Sequence, residues 1–152
     1  DEPTTGLDPQ ARHSVWDQIR IFKNNGKTVL LTTHYMDEAE ILCDELAIMD
    51  SGKILIRGTP RELISKTVGA DAVELVSHSF NKGKKILDLI ETKSKLKDVI
   101  ISRVSDRIII YGKEIEEIIS EFESNSELTD IIKRRTTLED VFLKLTGRQL
   151  RD

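Results

Sequence analysis

Asp1-Glu2-Pro3-Thr4-Thr5-Gly6-Leu7-Asp8, the first eight residues, decide how the rest of the chain is read. Two acids stand side by side just before a glycine-containing turn. An adjacent Asp and Glu at the end of a strand can divide two jobs, one carboxylate holding Mg²⁺ through hard oxygen ligands and the other polarising a water. Pro3 fixes φ and removes a backbone donor, so a preceding strand must end here. Gly6 permits a backbone conformation that other residues resist, and Asp8-Pro9 then reads as an N-cap followed by proline at N1, opening a helix. Without the rest of the chain, the same eight residues also suit an acidic surface turn.

Residues 27–33, K-T-V-L-L-T-T, form a short apolar run with no alternation, the pattern of a parallel strand buried on both faces. His34 therefore falls at the carboxyl end of a central strand, where open α/β sheets bind ligands. D-E-P-x-x-G-L-D, then a helix, then a strand ending in T-T-H and followed by D-E-A-E, resembles the second half of an ABC-type ATPase domain: the end of Walker B, the D-loop and the H-loop histidine. The pattern A-I-M-D-S-G-K-I-L-I-R-G-T-P-R-E-L and the ending T-L-E-D-V-F-L-K-L-T-G-R are similar to ATPase subunits of the drug-export and ABC-2 type, such as daunorubicin-resistance exporters. The resemblance covers the whole chain.

The resemblance implies a role for each of four residues. Asp1 matches the Walker B aspartate that orders Mg²⁺, and Glu2 the catalytic general base for the attacking water. Asp8 matches the D-loop aspartate at the seam between two nucleotide sites, a cofactor-binding position. His34 matches the histidine that contacts the γ-phosphate, serving both catalysis and cofactor binding. ATP and Mg²⁺ are the implied cofactors of the intact protein. The implied partners are a second ATPase subunit, as a homodimer, and transmembrane permease subunits. The expected location is cytoplasmic, on the inner face of the cell membrane, with the membrane reached only through the permease, and the expected task is ATP hydrolysis coupled to transport, in the export direction.

Several family features are missing. No G-x-x-x-x-G-K-S/T occurs, so the backbone nest and lysine that cradle phosphates are absent from this sequence, as are L-S-G-G-Q and a Q-loop glutamine in context. The chain also begins at Asp1 without an initiator Met, where a Walker B strand should end, so the sequence reads as a piece of a longer protein. By itself it is expected to be inactive as an ATPase. The alternative reading is a stand-alone regulatory or dimerisation module.

Composition narrows the field further. With a net charge of −4 and no basic stripe, the 152 residues do not suit a nucleic-acid binder. Lys82, Lys84, Lys85, Lys93, Lys95 and Lys97 cluster beside acids at helical spacing and read as a solvated face. Cys43 is the single cysteine, which permits no internal disulfide and reads as a small apolar residue. His13 and His78 have no acidic or metal-binding partner at useful spacing and read as surface residues. No apolar run approaches the roughly 20 residues of a membrane span.

The predicted fold is α/β: the C-terminal part of a P-loop NTPase sheet over residues 1–68, then a small α+β ferredoxin-like accessory or regulatory unit with a final helix over 69–152. In the first unit, Ala11, Val15, Trp16, Ile19 and Phe22 recur at spacings of three and four and predict an amphipathic helix over 9–25, stopped by Asn25-Gly26. A helix over 36–43 follows with acids in its first turn. Ser51-Gly52 predicts a hairpin between strands at 45–50 and 53–58, and Thr59-Pro60 opens a short helix. In the second unit, strands near 72–77, 99–104, 107–111 and 128–134 with helices near 82–91 and 113–123 give the order β-α-β-β-α-β of the split βαβ unit, closing two layers around its own core. Ile115, Ile118, Ile119 and Phe122 form the inner stripe of its second helix. Thr136 with Glu139 fits a capping box opening the last helix, whose Leu138, Val141, Phe142 and Leu145 point inward before Gly147 ends it.

Overall fold

The computed structural model describes residues 1–77, 86, 90, 100–104, 107–112, 115–123 and 128–147. Helix α1, Pro9–Asn24, starts where the sequence says it should: the Asp8 carboxylate accepts from the Ala11 N–H at 2.9 Å and Pro9 occupies the first turn. Gly26, at φ +74°, carries the chain out of it. Trp16 and Ile19 are buried with Leu42, while Phe22 at the far end of the expected stripe is 51% exposed.

Residues 27–33 correct the expectation of a buried parallel strand. They belong to no strand, Lys27 to Leu30 are exposed, and Leu30 is 94% exposed. A strand exists through its ladder, and among the described residues none lies beside this run. Its backbone is tied instead by the Lys27 N–H donating to the Phe22 carbonyl at 3.0 Å and the Glu2 N–H donating to the Thr32 carbonyl at 2.9 Å. Both sheets of the described chain are antiparallel.

Helix α2, Met36–Leu42, leads into the hairpin of β1, Leu46–Asp50, and β2, Lys53–Gly58. Asp50 pairs with Lys53, so the loop is the two residues Ser51 and Gly52, at φ +50° and +75°. Two positive φ values are what a type I′ turn requires, and they match the twist of the strands. Helix α3, Pro60–Thr67, is opened by a reciprocal capping box between Thr59 and Glu62.

The second sheet contains β3, Asp71–Ser77; β4, Ile100–Val104; β5, Arg107–Tyr111; and β6, Leu128–Arg135, in the spatial order β4-β5-β3-β6. Helices α4, Ile115–Phe122, and α5, Leu138–Thr146, follow β5 and β6. The helix expected over 82–91 falls mostly outside the described residues. Its Ile86 and Ile90 are described, helical and buried. The turn at Ser105-Asp106, the lysine cluster, His78 and the side chain of Ile118 also lie outside the described residues. The last helix is capped one residue later than expected: the Asp140 carboxylate, not Glu139, accepts from the N–H and hydroxyl of Thr137.

Strand period two assigns the sheet's faces. On one face Val73, Leu75, Ile108 and Ile110 pack with Ile86, Ile90, Ile115 and Phe122. On the other, Ala72, Ile109 and Tyr111 join Ala39, Ile48, Leu63 and Val68 from the first part of the chain and Leu138 and Val141 from α5. The core expected to be closed within 71–147 is thus only one of two, and the second is shared across Gly69. A backbone link reinforces it: the Leu138 N–H, an open donor at the start of α5, donates to Glu40 Oε2 on α2 at 2.9 Å, bridging 98 positions.

A charged cluster fastens α5 to the sheet. Arg134 donates in a bidentate fork to Asp140, 2.7 and 2.8 Å, and through Nε to Glu74, which also accepts from Arg107 at 2.8 Å; the Tyr111 hydroxyl donates to Asp140 at 2.9 Å. Burial works against both carboxylates, yet the arginine hydrogen bonds outweigh it and hold Asp140 and Glu74 below the usual acid range. The fork from Asp140 in turn raises Arg134 above its ordinary value.

Candidate functional site

Two segments 30 residues apart in sequence meet at the start of the chain. The Thr32 hydroxyl donates to Asp1 Oδ1, and the Glu2 N–H donates to the Thr32 carbonyl. Beyond Thr32 the chain turns, with the Tyr35 N–H donating to the Thr33 hydroxyl at 3.0 Å. That turn sets His34 Nδ1 3.2 Å from Glu2 Oε1, both side chains being 47% exposed. The Thr5 hydroxyl donates to the other Glu2 oxygen at 3.2 Å. The tilted Tyr35 ring lies 4.1 Å from the His34 ring, centroid to centroid.

Glu2 itself has φ +41°. Ser51, the other non-glycine residue with positive φ among those described, is explained by its hairpin. Glu2 has no such excuse and holds a conformation that costs on the order of 1 kcal/mol or more.

Three of the four residues singled out from the sequence are therefore brought together: Asp1, Glu2 and His34, joined by Thr32. Asp8 is not part of that contact set; among the described residues its carboxylate is engaged as the N-cap of α1. Thr32, which the sequence places beside His34 in the run T-T-H, enters through its hydroxyl, whereas sequence reasoning missed Glu38. Glu38, one of the acids expected in the first turn of α2, is fully buried, and its Oε1 accepts from the Thr4 hydroxyl and the Trp16 indole N–H, each at 2.8 Å. Its spacing of four from Leu42 was the available signal.

The donor set suits a hard cation only in part. No group of three or more His, Cys, Asp or Glu side chains gathers as a cation site among the described residues. Mg²⁺, however, commonly takes one or two carboxylates and completes its shell with water and phosphate oxygens, which is what an exposed Asp1 beside Glu2 can offer. The groove beside the site encloses 1210 Å³ and is lined by residues of the unpaired segment, including Val29, Leu30, Thr32 and His34, and by Met49 and Ile54 of the hairpin.

Comparison with known proteins shows what the chain as a whole is similar to. Residues 88–147 match the family described as Nodulation factor export protein NodI, C-terminal domain. The chain is 38% identical to Nod factor export ATP-binding protein I of Ralstonia nicotianae, over all of this chain and 47% of that protein. It is 38% identical to the protein of the same name in Cupriavidus metallidurans, with 100% and 48% covered. The corresponding values for Sinorhizobium fredii are 35% identity, with 100% and 42% covered. The chain thus spans about half the length of these relatives. Along its whole length the chain is similar to Nod factor export ATP-binding proteins, and its residues 88–147 match their C-terminal domain.

Proposed function

We propose that this chain supplies the hydrolytic half of an ATP-driven export subunit, with Glu2 as general base and His34 as its catalytic partner at the γ-phosphate. The observation that carries the reading is the 3.2 Å approach of His34 Nδ1 to Glu2 Oε1 across 32 positions of sequence. An imidazole has two nitrogens, so while one engages Glu2 the other is available to a phosphate oxygen or a water. Glu2 is exposed enough for water to reach it, and the Thr5 hydroxyl on its second oxygen limits its rotation. Asp1, oriented by the Thr32 hydroxyl, would hold Mg²⁺, which when bound neutralises charge on the phosphates.

Asp8, in the same reading, stands at the seam with a second ATPase subunit. The groups that cradle ATP come from outside these 152 residues, and the apolar, unpaired run at Val29 to Leu31 is where the rest of the nucleotide-binding sheet would add its strands. Residues 69–152 form a ferredoxin-like accessory unit; the order β4-β5-β3-β6 supports this, since the first and last strands of the run lie side by side at its centre and edge. Among the described residues no helix is long and apolar enough to cross a membrane, and transmembrane permease subunits would provide the passage from the cytoplasmic side. The relatives' names supply the direction, export.

Turnover of Mg-ATP by the full-length subunit tests the reading. Glu2→Gln keeps the shape and loses the base, so nucleotide affinity stays within about twofold while turnover falls by about 10²–10⁴-fold. Unchanged turnover in that variant removes Glu2 from the role of base.

A further inference from the structure

The contacts that define the site are too weak to hold it. Glu2 and His34 are each about half exposed, and an ion pair of that kind contributes roughly 0–1 kcal/mol. The Thr5 and Thr32 hydrogen bonds to Glu2 and Asp1 are exposed as well. Yet Glu2 sits in a strained conformation that relaxes unless its surroundings prevent it.

We infer that Glu38 is the positioning residue that fixes the acidic turn against His34. It lies in the first turn of α2, four residues after His34, and is completely buried. A single oxygen, Oε1, accepts from the Thr4 hydroxyl in the acidic turn and from the Trp16 indole in α1. Thr4 and Trp16 are themselves 2% and 3% exposed. One carboxylate therefore ties together the three segments whose relative placement sets the distance from Glu2 to His34. Both hydrogen bonds are shielded from water, whereas every side-chain contact at Glu2, Asp1 and His34 is open to it.

Stability alone does not account for an acid here. The second oxygen, Oε2, is buried without a hydrogen-bond partner among the described residues. A buried carboxylate left half satisfied costs free energy that a well-packed apolar residue would avoid. Residues that break a local rule in this way concentrate at functional sites. Among the described residues Glu38 makes no hydrogen bond to Glu2 or His34; it acts through Thr4 on one side and through α2 on the other.

Because Trp16 is the single tryptophan, its indole N–H gives one unambiguous NMR signal. In the 152-residue chain, Glu38→Ala should shift that signal, speed its hydrogen exchange at least about tenfold, the equivalent of 1.4 kcal/mol, and abolish the nuclear Overhauser contact between the His34 ring and the Glu2 side chain. Glu38→Gln keeps the acceptor and should restore all three. Thr4→Val keeps the volume and removes one link, so the Trp16 signal should stay while the His34–Glu2 contact disappears. That variant carries the test if Glu38→Ala fails to fold. Persistence of the His34–Glu2 contact in folded Glu38→Ala or Thr4→Val overturns the inference.

The kinetic arm rests on the ATPase reading above. In the full-length subunit both variants should lower kcat by about tenfold or more, with KM within about twofold, as expected when reacting groups are misplaced by a fraction of an ångström to an ångström. Loss of the NMR contact with unchanged kcat also overturns the positioning role. A parent subunit without Mg-ATP turnover would sink the ATPase reading instead, leaving the NMR result to decide on Glu38.

Discussion

Glu2 and His34 touch directly and are each about half exposed, so substitutions there should alter chemistry more than folding. His34→Ala in the full-length subunit is expected to lower kcat by about 10²–10³-fold while nucleotide affinity changes little, since a donor aimed at developing phosphate charge acts mainly in the transition state. Rapid-quench turnover with equilibrium binding separates the two, and a variant that lost only affinity would contradict the assignment. Arg134 is the opposite case, a residue whose removal should be felt in stability. Arg134→Gln leaves the buried Asp140 and Glu74 carboxylates without their fork, at about 3 kcal/mol near neutral pH. The sign of the pH dependence follows from both acids being held below their ordinary values. Their contribution is full above the unfolded acid range of about pH 4 and is lost as the pH falls through the lower folded values. The parent should therefore lose stability on acidification, and the gap between parent and variant should narrow from pH 7 to pH 3 in urea titrations. A gap that widened towards acid would refute the cluster's role. At this scale the sequence was legible where a residue serves its immediate neighbours, as Asp8 and Pro9 do. It was not where partners arrive from afar: Glu38 looks like a first-turn acid until Thr4 and Trp16 close on it.

Among the elements, those built on local rules formed where the residues indicated. Helix α1 has its cap and stop, the β1–β2 hairpin its two positive-φ residues, and α3 its capping box. Helix α5 differs by one position because Asp140, not Glu139, reaches back to Thr137; Thr-Thr-Leu-Glu-Asp offers two overlapping frames, and Arg134 and Tyr111 select the second by gripping Asp140. The run at 27–33 shows the limit of pattern reading. Its apolar residues satisfy the pattern of a buried strand, whereas a strand also needs neighbours, and none lies beside it among the described residues. Asp8→Ala tests an element in isolation: loss of the N-cap should cost about 1 kcal/mol, lowering the melting temperature by about 2–4 °C. If calorimetry of the 152-residue chain shows no change while turnover of the full-length subunit drops, Asp8 serves the subunit seam and not α1.

For the whole molecule, the absence of a phosphate-cradling loop from the sequence predicts that the 152-residue chain does not bind Mg-ATP at micromolar concentrations. A saturable isotherm in calorimetric titration would refute that. The overall order of elements was legible because each helix and hairpin carries its own punctuation. The merging of the two parts into one shared core was not, because Ala39, Leu63 and Val141 look equally suited to separate interiors. That shared core has a consequence for how the protein is made. Leu138 and Val141 complete a packing cluster begun by Ala39 and Ile48, and the Leu138 N–H reaches back 98 positions to Glu40. At about 5–20 residues per second, a ribosome needs about 5–20 s to travel that interval. Once clear of the exit tunnel, α2 and the β1–β2 hairpin wait for Leu138 with their inner faces wet, exposed to proteases and holding chaperones. Stalled nascent chains that end before Leu138 should therefore be cut readily within residues 36–58, and chains stalled once Thr146 has emerged should resist.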